Sequence, residues 1–84
     1  MESYVPMWEK QYLIICCDSM SGLQSVEHFK TKTAAEKKLK DYYEVEKKSP
    51  DNSEVHFSGN ELHIVTNEWQ DDVWYEITEI QVAI

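Results

Sequence analysis

The sequence predicts an α+β fold: an antiparallel-rich sheet of about five strands with one helix packed on a face, in the order β-β-α-β-β-β. Three observations predict it. Short β-branched and aromatic runs alternate with turn residues, one stretch carries helical spacing between a cap and a proline stop, and a Gly-Asn pair joins two alternating runs. With 84 residues the chain makes one domain, 1–84, with no internal repeat or low-complexity tract, and 1–9 reads as a loose N-terminal arm carrying Pro6.

The first strand is Lys10 to Asp18, KQYLIICCD. It is apolar on both phases of the alternation, Tyr12, Ile14 and Cys16 on one face and Leu13, Ile15 and Cys17 on the other. That pattern places it inside the sheet with both faces buried. Ser19 to Gly22 is turn chemistry, and Gln24 to Phe29 returns as a second strand. Thr33-Ala-Ala-Glu36 fits a capping box, in which the hydroxyl and the carboxylate satisfy free amides at a helix start. A helix over 34–48 then puts Ala35, Leu39 and Tyr42 on one stripe, with Glu36–Lys40 and Glu44–Lys48 as i,i+4 pairs. Ser49-Pro50 ends it, because the residue before proline is pushed out of the α region.

Glu54 to Ser58 and Glu61 to Thr66 form a hairpin about Gly59-Asn60, a pair suited to a primed turn. That register sets Phe57 against Leu62 and Val55 against Ile64 on one face. On the other it sets His56 against His63 and Glu54 against Val65. The last strand is Val73 to Val82. Its apolar residues change phase, odd at Val73, Tyr75 and Ile77 but even at Ile80, Val82 and Ile84. A bulge near Thr78-Glu79 accounts for that, as does a strand packed on both faces near its end.

Charge is the strongest compositional signal: 16 acids against 8 bases, net −8. All eight bases are lysine. Residues 30–48 carry seven of them and are net positive, whereas 49–84 carry eight acids and no base. Without arginine or a uniformly basic face the chain does not read as a direct nucleic-acid binder. The longest apolar run, Tyr12 to Cys17, is too short to cross a bilayer, so no membrane association is expected. The two adjacent cysteines fit neither a disulfide framework nor a metal site, and the expected compartment is a reducing cytoplasm.

Catalysis is not expected. Cys16 and Cys17 sit in an apolar run that raises a thiol pKa, the carboxylates of Asp71-Asp72 have nothing to push their pKa values apart, and no glycine-rich phosphate loop exists. His56 and His63 pair across strands but have no obvious third ligand, Glu54 and Glu61 being the nearest candidates, and neither a metal nor a cofactor is expected. The richer signal is an aromatic loop ringed by acids. Trp69 supplies contact area for a partner, and Glu68, Asp71, Asp72, Glu76 and Glu79 supply complementary charge, while Trp74 inside the strand is expected in the core.

The all-acidic stretch from Asp51 to Glu79, the small size and the passage HFKTKTAAEKKLKDYYE together resemble the small acidic proteins that bacteriophages encode against host defence and repair. Anti-CRISPR proteins and uracil-DNA glycosylase inhibitors are of this kind. The resemblance implies inhibition by direct binding, the acidic surface occupying the basic surface of a nucleic-acid-handling protein. The alternative is a homo-oligomeric accessory protein, a homodimer in its simplest form, whose basic and acidic faces satisfy each other.

Overall fold

A computed structural model describes residues 7–67 and 71–83. The elements are β1 (Trp8–Asp18), β2 (Gly22–Phe29), α1 (Lys32–Glu46), β3 (Asn52–Phe57), β4 (Glu61–Thr66) and β5 (Asp72–Ala83). The strands form one antiparallel sheet in the order β2-β1-β5-β4-β3, and α1 lies across one face. The α+β reading therefore holds in strand number, helix number and chain order.

The core lies between α1 and the sheet. Ile14, Ala35, Leu39, Leu62 and Ile64 are buried there, with Tyr42, Tyr43, Phe57, Val73, Tyr75 and Ile77 packed against them. Tyr43 stacks on Phe57 at 4.6 Å and Tyr42 tilts against Tyr75 at 5.0 Å. Cys16 is buried on the same face, so Cys16 and Cys17 point to opposite sides of the sheet, as alternation requires.

The β3–β4 hairpin forms in the expected register, with Phe57 opposite Leu62, Val55 opposite Ile64 and His56 opposite His63. Gly59 sits at φ +91°, the left-handed conformation that a primed turn needs and a Cβ resists. The helix start differs from expectation. Thr31, not Thr33, is the N-cap, and its hydroxyl accepts from the Ala34 amide at 3.2 Å. Both threonines precede alanine-rich helix, and the residue that keeps extended backbone (φ −129°, ψ 150°) becomes the cap.

The helix also stops sooner, at Glu46. The Asn52 side-chain amide donates to the Glu46 carbonyl at 2.8 Å and takes over the task of a further helical turn. In consequence Glu44 pairs with Lys47 at 2.7 Å rather than with Lys48. Glu36 and Lys40 do not close to an ion pair.

No bulge interrupts β5. Its pairing with β1 runs unbroken from Asp18 opposite Val73 to Trp8 opposite Ala83. The apolar phase changes because the surroundings change. Val73, Tyr75 and Ile77 lie under α1, whereas from Thr78 onward β5 has only β1 beside it, and Ile80 and Val82 turn to the face that α1 does not cover. The bulges occur instead in β2, where Gln24 is extra opposite Cys16 and Cys17, and in β3 at Ser53. The β1–β5 pair projects as a two-stranded ribbon, and the molecule is long and thin, 64 × 24 × 15 Å.

Candidate protein-binding face

Among the described residues no helix or strand lies over the sheet face opposite α1. Strand register assembles its side chains into rows. One row runs Leu23, Cys17, Trp74, His63, His56 across all five strands. The rings at its end are stacked: Trp74 on His63 at 5.1 Å and 4°, His63 against His56 at 5.9 Å.

Carboxylates flank this aromatic row on both sides. Glu54 and Asp72 stand in one neighbouring row, separated by Val65, and Glu61 and Glu76 stand in the other, directly opposite each other. The two acidic rows are four residues apart along β5, about 13 Å. Glu9 adds a fifth acid on the ribbon, opposite Val82.

No lysine lies in β3, β4 or β5, the strands that carry these rings and the four carboxylates that frame them. Lys10 alternates to the other side, where its ammonium lies 4.0 Å from Glu79, and the remaining lysines belong to α1 and its flanks. The charge imbalance between sequence segments thus becomes an imbalance between faces, lysines around the helix layer and carboxylates on the open sheet.

The residues expected to bind a partner separate on this frame. Glu68 and Trp69 lie outside the described residues. Asp72 and Glu76 share the open face. Asp71 sits at the entrance to β5, where its carboxylate accepts from the Ser19 hydroxyl, and the same hydroxyl receives the Asp72 amide at 3.0 Å. Glu79 projects to the opposite side, toward Lys10 and the Tyr12 hydroxyl.

Trp74 departs from expectation. It is half-buried on the open face, and Tyr75 takes the core position beside it. Adjacent strand residues cannot both face the helix, and Tyr75 shares its phase with Ile77 and Val73. His63, Glu54 and Glu61 join the site from β3 and β4. His56 and His63 were visible as a pair, but the β4–β5 register that brings Trp74 to them depends on the loop between, which has no fixed turn signature.

Several groups have pKa values moved by their surroundings. Burial pushes the Cys16 thiol up, against hydrogen bonds with Tyr75 and Ser25 that lower it. Burial and then a hydrogen bond to Glu27 push Tyr42 up to about 12, and burial raises Tyr75 further still. The Met20 amide, donating at 2.7 Å, holds Asp18 below the usual carboxylate range, with the Asp71 side chain contributing in the same direction. None of these groups lies on the open face.

His63 Nε2 is closed to solvent and has no hydrogen-bond partner, the nearest carboxylate oxygen being Asp72 Oδ1 at 3.7 Å. A shallow depression of about 270 Å³ beside it is lined by His56, Phe57, Ser58, Glu61 and His63. Among the described residues no three His, Cys, Asp or Glu side chains converge as metal ligands, and no helix is long and apolar enough to cross a membrane. The arrangement offers flat aromatic area framed by negative charge, which suits contact with a basic protein surface. Comparison with protein families, curated proteins and solved structures finds no match to the chain.

Proposed function

We propose that the chain is an acidic protein-binding module, without catalytic activity, that inhibits a nucleic-acid-handling protein by occupying its basic surface. Its most concrete form is a phage anti-defence inhibitor of the anti-CRISPR kind, acting in the host cytoplasm. The observation that supports this reading is the open face itself. Four carboxylates, Glu54, Glu61, Asp72 and Glu76, frame the His56–His63–Trp74 row, and no lysine belongs to the three strands that carry them. Such a surface meets lysine- and arginine-lined grooves built for phosphates, and its attraction weakens with salt as phosphate binding does. Asp71 holds the entrance to the acidic strand in place through Ser19.

The test is affinity capture from the native host's lysate with a salt-step elution. The expected result is a nucleic-acid enzyme that salt releases and that added DNA or RNA displaces. The Asp72→Lys/Glu76→Lys variant should lose capture with its circular dichroism unchanged. Recovery of the same enzyme by that variant, or displacement by neither nucleic acid, defeats the reading.

A second reading draws on the same segregation of charge. Lysines around α1 and carboxylates on the opposite face favour head-to-tail association of identical chains. Sedimentation mass that grows at low salt and falls to the monomer at high salt would favour that accessory, homo-oligomeric role.

A further inference from the structure

A sheet with one helix on one face buries half of its surface, and stable layer architectures cover the other half when it is apolar. Here it is apolar along one strip. It runs from the Leu23–Cys17–Trp74 row through Val26 and Ile15 to Leu13, and then diagonally to Ile80 and Val82 on β5, with Glu76 and Thr78 standing opposite Ile15 and Leu13. Val26 is 49% exposed and the neighbouring Leu23 63%. The phase change in β5 extends this strip. Where the ribbon leaves α1 neither face is covered by a described element, and solubility alone would make both faces polar. The chain instead places Ile80 and Val82 diagonally beyond Leu13, opposite Gln11 and Glu9.

We infer that this strip docks a lysine- or arginine-bearing amphipathic helix of a partner protein, laid along β1 and β5 opposite α1. From Trp74 to Val82 the strip runs about 26 Å, the length of some 17–18 helical residues. The 15-residue α1 already packs on the reverse side of the same strands through Ala35 and Leu39.

Charge selects the occupant. Glu76 and Glu61 border the strip on its β4 side and Glu9 lies toward its ribbon end. A second copy can match the charge or the apolar area of the strip, but not both. Its open face would set its own carboxylates against these. The outward side of its α1 carries lysines but only Val45 as an exposed large apolar residue, so it cannot fill the strip. A basic amphipathic helix supplies both an apolar stripe and flanking cations. The inference deepens the proposed function by naming the element that the partner presents.

The test is an amide-resolved NMR titration of the whole protein with a synthetic leucine–lysine amphipathic peptide of about 18 residues. The expected result is shifts at Ile15, Val26, Trp74 and Ile80, and at least tenfold weaker binding by Val26→Glu and by Glu61→Lys/Glu76→Lys. A leucine–glutamate helix and a scrambled peptide of the same leucine–lysine composition should not bind. No binding, equal binding by the scrambled peptide, shifts centred on α1, or a dimer that protects the strip from the peptide would each overturn the inference. The spectrum of each variant reports its folding directly. Peptide binding at the strip without capture of a nucleic-acid enzyme would leave the inference standing and defeat the proposed function, so the two fail separately.

Discussion

Glu61 and Glu76 stand directly opposite each other on β4 and β5, two carboxylates on the open face with no lysine beside them. Like charges so placed cost a sheet roughly 0.2–1 kcal/mol. Glu76→Lys turns that repulsion into attraction, so it should stabilise the isolated protein by up to about 1 kcal/mol and raise Tm by a few degrees. The same substitution should weaken partner capture. Thermal unfolding and capture measured on one preparation check both, and a stability gain with undiminished capture would show that this acidic pair serves no partner.

How far such features are legible in the sequence depends on which ones have local causes. The β3–β4 hairpin was readable to the residue because Gly59-Asn60 fixes both turn and register. The face carrying Trp74 was not, because the acid-rich loop before β5 suggested Trp69 as the exposed ring and the β-strand pattern suggested Trp74 as the buried one. The place of Trp74 turns on its pairing with His63, which is non-local. Strand β1 likewise announced two apolar faces, but one helix can cover only one of them. The phase change of β5 reads as a bulge until it is known where α1 ends over the sheet.

The helix start offers a sharper check of that kind. Thr31 accepts the Ala34 amide, whereas Thr33 lies inside the first turn. Thr31→Ala should therefore destabilise the fold by about 1 kcal/mol. Thr33→Ala should be neutral or slightly stabilising, since alanine is the better helix former. Urea midpoints of the two variants decide it, and a larger loss in Thr33→Ala would restore the capping box at Thr33-Glu36.

The two faces of the sheet should respond differently to truncation. Leu39 is fully buried against Ile14, Leu62 and Ile64, and Leu39→Ala should cost about 2–5 kcal/mol through the lost transfer energy and the cavity left behind. That is a large part of the stability of a domain this small. Leu23, 63% exposed on β2, should lose only about 0.5 kcal/mol or less when cut to alanine. Comparable losses in the two variants would mean that the open face is already covered in the free protein.

Alkaline pH should unfold the domain through its buried phenols. Tyr42 is raised to about 12 by burial and by its hydrogen bond to Glu27, and Tyr75 is raised by burial beside Cys16. An unfolded tyrosine ionises near pH 10. Above that pH the unfolded chain has released protons that the folded chain still holds, so stability is fully present below pH 10 and is lost as pH rises toward 12. Lys47, raised by its bond to Glu44, adds a loss of the same sign at high pH. Phenolate absorbance should accordingly rise in two stages, the later one coinciding with loss of circular dichroism. Tyr42→Phe should cost about 1 kcal/mol at neutral pH through the lost hydrogen bond yet make the decline above pH 10 shallower. An equally steep decline in that variant would place the alkaline sensitivity elsewhere than Tyr42.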